Sequence, residues 1–418
     1  MLLILLLPSL AATTVKASGT EALPIDLLSC QGRGQAGQAG ANDRMRFWDT
    51  QRRGVNLFDQ EARAEQFREA KAAGIDFVRL AVDKWRGAEG QFLIGDLDHY
   101  KGLVQADVRT LLEVLDWAED ADMPVVVTML RLPGAPWEHI DGDGKVQPLW
   151  RSVPHWRQAV QFWHDLAGQL SDHPAIVGYN LLNAPTPERT ADLDSYDAAK
   201  LANWYTQARG TTADLNLFYR CLTDAIRTVD AMTPLLLDAG SLAAPDALSY
   251  LEPLPDVATL YSVNDFFPFE YTHQKIEASL QYPGVMEIGN QFEWIDRNSL
   301  EAFVSPVADW TNANSIPPSR VIFSAFGVNR HAPGAPQYLN DTLSVLNEGG
   351  WHWALYAFRE NGWELMDYEL GTGPIAALPD AAEERRFRLN ALRSRDGAFS
   401  GLWQQFSERS QPLRRQSE

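Results

Sequence analysis

Six carboxyl side chains, Asp83, Glu188, Asp238, Asp265, Glu287 and Glu360, fall at or just beyond the ends of short apolar runs. A carboxylate in such a place can pass a proton or attack an electrophilic carbon, provided two of them face one reacting bond in a fixed geometry. Arg79 interrupts the otherwise apolar run Phe77–Val82 (FVRLAV), so its charge must be paired or must face a polar pocket. Six tryptophans, Trp85, Trp137, Trp150, Trp294, Trp353 and Trp363, lie on or beside the segments that follow such runs. Each indole alone fits a packed core as well as a ligand site. Six around one rim point to stacking on the apolar C–H faces of pyranose rings. The eight histidines show no His-Glu-x-x-His-like spacing, and no Cys/His cluster has zinc-ligand spacing, so neither a metal nor an organic cofactor is expected.

Eight β-rich runs must position these groups: Gly54–Phe58, Phe77–Val82, Pro124–Leu130, Ile176–Asn183, Pro234–Gly240, Leu260–Phe266, Val321–Gly327 and Trp351–Phe358. Several are continuously apolar, as strands buried on both faces are. Between them Glu61–Ala73, Val108–Ala121, Trp156–Leu170 and Leu215–Ala231 carry apolar residues at three- and four-residue spacing, which predicts helices. Eight strands alternating with helices predict an α/β fold, a (β/α)8 TIM barrel, whose ligand site lies at the C-terminal strand ends. The segments after the second and third runs are long and rich in Gly, Asp and Trp, as ligand-contacting loops are.

The 418 residues carry a net charge of −19, which repels polyanions and argues against nucleic acid or an anionic membrane as partner. A neutral ligand does not feel that field. Residues 1–12 form an apolar run followed by Val15-Lys16-Ala17, which predicts a signal peptide over 1–17 cleaved near Ala17, hence a secreted or periplasmic protein. The run is shorter than the roughly 20 residues a membrane-spanning anchor needs. The expected organisation is then an N-terminal segment (18–45), one barrel (46–410) and a polar tail (411–418), monomeric by default. Cys30 and Cys221 are the only cysteines; their spacing leaves a single disulfide and two buried thiols equally open.

The runs Arg52–Phe58 (RRGVNLF), Gly74–Leu80 (GIDFVRL), His173–Pro185 (HPAIVGYNLLNAP) and Trp351–Glu360 (WHWALYAFRE), taken together and in this order, resemble glycoside hydrolase family 5, the cellulase-like clan of retaining β-glycosidases. The resemblance extends from about Arg52 to Gly371. It implies an acid/base and a nucleophile glutamate about 5–5.5 Å apart. At the positions matching the family's Asn-Glu-Pro, however, stand Asn183-Ala184-Pro185, and at its Glu-Phe-Gly stand Ala325-Phe326-Gly327. Its orienting His-x-Tyr pair is matched by Asn264-Asp265-Phe266. The resemblance further implies sugar-binding roles for Arg79, Asn183, Trp353, Trp85, Trp137, Glu360 and Trp363, with a β-glucan-like oligosaccharide as ligand.

A methyl group neither protonates a leaving oxygen nor attacks an anomeric carbon, so the expectation is a barrel that does not hydrolyse glycosides, whether disabled deliberately or a natural pseudoenzyme. Two rivals stand beside it. Relocated carboxylates could restore a β-glycosidase, although Asp265 falls on the alternate strand face and Glu188 reads as a solvated loop charge four residues past Ala184. A purely structural or interaction barrel is the other.

Overall fold

The run Val125–Thr128 reads VVVT: β-branched side chains lose rotamer freedom in a helix but fit a pleated surface covered on both sides. In the computed structural model, which describes residues 19–33, 43–136, 147–193, 198–275, 280–360, 363–376 and 378–407, each of the eight runs forms a strand. They are β1 (Arg53–Leu57), β2 (Phe77–Ala81), β3 (Val125–Thr128), β4 (Ile176–Asn180), β5 (Leu235–Asp238), β6 (Thr259–Asp265), β7 (Val321–Phe326) and β8 (His352–Leu355). They close into one barrel in the order β1-β8-β7-β6-β5-β4-β3-β2, with every neighbouring pair parallel. The (β/α)8 expectation holds.

Among the described residues, seven helices of nine residues or more lie between β1 and β8 in the chain: α1 (Ala64–Ala72), α2 (Gln105–Asp120), α3 (Val153–Leu170), α4 (Ala198–Ala208), α5 (Leu215–Arg227), α6 (Arg297–Asn314) and α7 (Ala335–Glu348). The stripe of α2 shows why it packs: Val108, Leu111, Leu115 and Ala118 recur at helical spacing and are buried. This helix begins three residues before the apolar periodicity does. Its first turn holds Asp107, whose carboxylate accepts the Ala88 and Leu93 N–H groups of the preceding loop, each at 2.9 Å. A C-terminal helix, α8 (Ser400–Ser407), packs Phe406 against Trp353.

The lumen fills in two layers of opposite character. Near the strand starts, Phe77, Val126, Val177, Leu236, Leu260, Ile322 and Ala354 form an apolar plug. Trp48 is packed into its lower end, its indole N–H donating to the Val177 carbonyl at 2.9 Å. Gly54 is required there, since a Cβ would lie 2.4 Å from the Phe77 ring. Above the plug comes a polar layer of fully buried Asn56, Arg79, Thr128, Asn180, Asp238, Ser262 and Ser324. Strand alternation places both layers on most strands: in β6, Leu260 and Ser262 face the lumen while Tyr261 packs on Trp310 of α6, whereas on β4 a register shift between Ile176 and Gly178 separates Val177 from Asn180 by three residues.

Cys30 and Cys221 form a disulfide, Cα atoms 5.0 Å apart, that ties the N-terminal segment to α5. Residues 1–17 and 411–418 lie outside the described residues. Among the described residues no helix is long and apolar enough to cross a membrane. After β6 the chain adds an antiparallel hairpin, Gly284–Ile288 paired with Gln291–Ile295.

Candidate active site

Arg79 is the hub of the polar layer. Its Nη1 donates to Asn56 Oδ1 (2.7 Å) and the Ser324 carbonyl (2.6 Å), and its Nη2 to Asn180 Oδ1 (2.5 Å) and Asn183 Oδ1 (2.9 Å). All four acceptors are neutral. Burial pushes the guanidinium down to about 10, opposed by the field of Asp238. That carboxylate is reached through Asn180, whose Nδ2 donates to Asp238 Oδ1 at 2.7 Å. Burial raises Asp238 as well, against the Arg79 charge and the Ala184 and Ser262 hydrogen bonds.

This network brackets both alanines. Ala184 adopts a left-handed backbone (φ 52°), a conformation that costs an L residue about 1 kcal/mol, and its N–H donates to Asp238 Oδ2 at 2.9 Å. On β7, Phe323 pairs with Val263 and Ala325 with Asn264, so Ser324 is an extra residue in a bulge. The bulge sends the Ser324 carbonyl to Arg79 and its hydroxyl to Asn264 Oδ1 (2.9 Å). Ala184 and Ala325 are 4% and 6% exposed. Asn183 is held by two bonds: its Oδ1 accepts from Arg79 and its N–H donates to the Met129 carbonyl. The guanidinium can only donate, so Asn183 must turn its Nδ2 donor away from it.

Along the β1, β2 and β8 side the mouth is apolar at its base: Phe58, Ala81 and Leu130 cluster with Tyr356. The Phe58 ring lies 5.5 Å from the Arg79 guanidinium carbon, and Tyr356 packs edge-on against Phe58 and Phe266. Glu360, close to Tyr356, pairs through Oε1 with Lys84; burial raises the Glu360 carboxyl and Lys84 draws it back. Asp83, raised to about 6 by burial and opposed by Arg131, accepts the Leu130 N–H at 3.0 Å and the Arg131 N–H.

Several expected positions need correction. Trp353 is fully enclosed in the barrel wall, between Phe326 and Phe406, with its N–H on Asn347, so it has no face to offer a sugar. Alternation along β8 puts Ala354 in the lumen and Trp353 toward the helices; Tyr356 is the aromatic that reaches the mouth. Trp150 is likewise enclosed, and Trp85 packs on Phe92 with 8% of its surface exposed. Trp294 and Trp363 are exposed, and Trp137 lies outside the described residues. Glu287 is exposed on the hairpin. Asp265 is fully buried, its Oδ1 accepting the Phe267 N–H at 3.2 Å and its charge acting on Tyr338 of α7; burial raises it to about 7.

Glu188 also departs from expectation, being 2% exposed rather than solvated. It sits in a short 3-10 turn (Pro187–Ala191) under Ser241, whose N–H it accepts at 3.3 Å, and burial raises it to about 7. A carboxyl raised on folding adds stability below its unfolded value of about 4.5 and loses it as pH climbs through 7. Glu188→Gln removes that loss. Thermal unfolding should show the variant gaining about 1–3 kcal/mol on wild type at pH 8 relative to pH 4.5. An unchanged difference across that range would mean the carboxyl is not buried as described.

Asn56, Asn180, Ser324, Tyr356 and Lys84 were not singled out from sequence, although a polar residue at a lumen-facing position of an apolar run is a readable signal. On the flank, Asp116, Glu119 and His173 gather donor atoms within 4.8 Å. The His173 Nδ1 accepts the Ala175 N–H, which leaves the proton on Nε2 facing Asp116, the wrong tautomer for ligation there.

A closed parallel barrel with buried polar groups gathered toward its C-terminal strand ends defines the (β/α)8 class, whose members build their sites at that end. Within that class the chain belongs to glycosyl hydrolase family 5: the family model, cellulase (glycosyl hydrolase family 5), matches residues 43–362. Endoglucanase C of Acetivibrio thermocellus and Endoglucanase C307 of Clostridium sp. (strain F1) are each 24% identical over 228 residues, 54% of this chain. The match spans 57% of those relatives' own length. Among solved structures, endoglucanase Cel5A from Thermotoga maritima is similar over 76% of this chain and 92% of its own, with TM-score 0.54 and 17% identity. The cellulose synthase subunit Z of Clostridioides difficile is similar over 74% and 92%, with TM-score 0.53 and 17% identity. At these identities the likeness is one of fold.

Proposed function

We propose that this barrel binds a β-glucan-like oligosaccharide at its mouth and does not hydrolyse it. The observation that carries this reading is the pairing of a hydrogen-bonded polar scaffold with two methyl groups. Arg79, Asn183, Asp238 and the Ser324 bulge form one hydrogen-bonded network around Ala184 and Ala325, the positions matching the family's acid/base and nucleophile glutamates. The curated relatives are called endoglucanases, which supports the ligand class. The remaining carboxyls near the mouth are engaged elsewhere: Glu360 by Lys84, Asp83 by two backbone N–H groups, Asp238 by Asn180 and Ala184. Export, through the N-terminal apolar run, agrees with the Cys30–Cys221 disulfide, a bond that persists in oxidising compartments.

A second reading, hydrolysis by relocated carboxyls, draws on one observation: Asp83 Oδ1 and Glu360 Oε2 are buried without a partner. Binding itself is checked by thermal unfolding with millimolar cellotetraose. The midpoint should rise while chromatography recovers the tetrasaccharide intact. An unmoved midpoint with cello- and other β-gluco-oligosaccharides would favour a barrel with no sugar affinity.

A further inference from the structure

The charge balance at the floor of the mouth is incomplete. Arg79 is fully buried, its four hydrogen bonds go to neutral oxygens, and its Nε has no partner. Arg227, equally enclosed on the flank, forks onto Asp256 with both oxygens engaged. Arg79 has no such fork; among the described residues the anion acting on it is Asp238, one asparagine away. The other charged groups of the mouth close on themselves, Lys84 with Glu360 and Arg131 with Asp83. Two backbone positions adjoin residues that hold the guanidinium, Ala184 after Asn183 and Ala325 after Ser324; at both the side chain is a single methyl, and the two residues are 4% and 6% exposed.

We propose that this floor is a carboxylate-binding site, in which the ligand supplies the anion that no side chain supplies to Arg79. The ligand is a monocarboxylate, either a free small acid or the carboxyl of a uronic-acid residue in a saccharide. Arg79 provides the positive potential and the Asn183 Nδ2, turned from the guanidinium, a hydrogen-bond donor. Asp238 and the chain's overall charge of −19 oppose the anion, so the affinity is millimolar and a polyanionic chain is disfavoured. The site rests on the non-hydrolytic reading of the mouth, but its test does not use hydrolysis.

The test compares wild type with Ala325→Glu, which supplies the missing carboxylate from the chain itself, by thermal unfolding at constant ionic strength. Formate at 100 mM should raise the wild-type midpoint by about 1–3 °C more than that of Ala325→Glu, a difference from which general salt effects cancel. Methyl β-D-glucuronide is run beside methyl β-D-glucoside. A response to formate alone assigns the site to free acids; a response to glucuronide and not glucoside assigns it to acidic saccharides. Equal responses of both proteins to formate and to glucuronide would overturn the proposal. Because Ala325→Glu adds a buried group, Ala184→Glu serves as a second blocked variant, with the same expected loss of response. Cellotetraose binding to wild type reports separately on the sugar-binding reading.

Discussion

Replacing Arg79 with methionine should destabilise the barrel by about 3–5 kcal/mol, as removal of one charge from a buried network does. The side chain satisfies four acceptors, the Asn56, Asn180 and Asn183 side-chain oxygens and the Ser324 carbonyl, and all but Asn183 belong to fully buried residues. Each buried acceptor left without a partner costs about 1–3 kcal/mol. Two effects run the other way. The guanidinium itself is costly to bury, as its depression to about 10 shows, and the asparagines can rotate toward one another. The stranded charge of Asp238 decides the balance. Arg79 is the chief influence lowering that carboxyl, so without it Asp238 rises further. A carboxyl raised on folding costs stability as pH climbs past its unfolded value near 3.8, so the deficit should be larger at pH 8 than at pH 5. Urea unfolding at both pH values measures it. A loss under about 1 kcal/mol at each pH would show that the network does not hold the floor together.

The second large effect is catalytic. Introducing Ala184→Glu and Ala325→Glu together should create measurable release of an activated aryl β-cellobioside, exceeding either single variant by about 10²–10⁴-fold, the usual contribution of a positioned acid/base group. The backbone is already prepared. Residue 184 holds its left-handed conformation through Asp238, and the bulge at Ser324 sets residue 325 at the floor beside the Arg79 network. Orientation is what the double variant still lacks. Asn264 donates to the Leu242 carbonyl and accepts from Ser324, while Phe266 carries no hydroxyl. Adding Asn264→His and Phe266→Tyr should therefore raise the rate by a further factor of about 10 or more, as a positioned donor does. A double variant as silent as either single one would mean that the floor does not hold two carboxylates in the geometry a retaining glycosidase needs.

How much of this was legible in the chain differs between its two periodicities. The strands could be read because continuous apolar runs such as VVVT and LLLD have few alternatives when buried on both faces. The lumen could not be read as easily, since which alternate residue faces inward depends on closure and on the bulge in β7. Trp353 and Tyr356 illustrate the limit. Both are aromatic and both belong to the eighth run, yet only Tyr356 reaches the mouth. Glu188 illustrates another: a charged residue beyond a strand end reads as a loop, and nothing local says that the turn at Gly240–Ala243 folds over it. The expectation for Ala184 and Ala325 rests on motif order, which picks out those positions without knowledge of any side-chain direction.

The central claim meets its most direct test in the steady-state release of aryl product from an activated aryl β-cellobioside by purified wild-type protein. The structure leads us to expect release indistinguishable from buffer, with product appearing when millimolar azide or formate stands in for a missing carboxylate. Turnover above buffer without any added anion, abolished by Asp83→Asn or Glu360→Gln, would show that other carboxyls have taken over the chemistry and that the barrel is an active glycosidase.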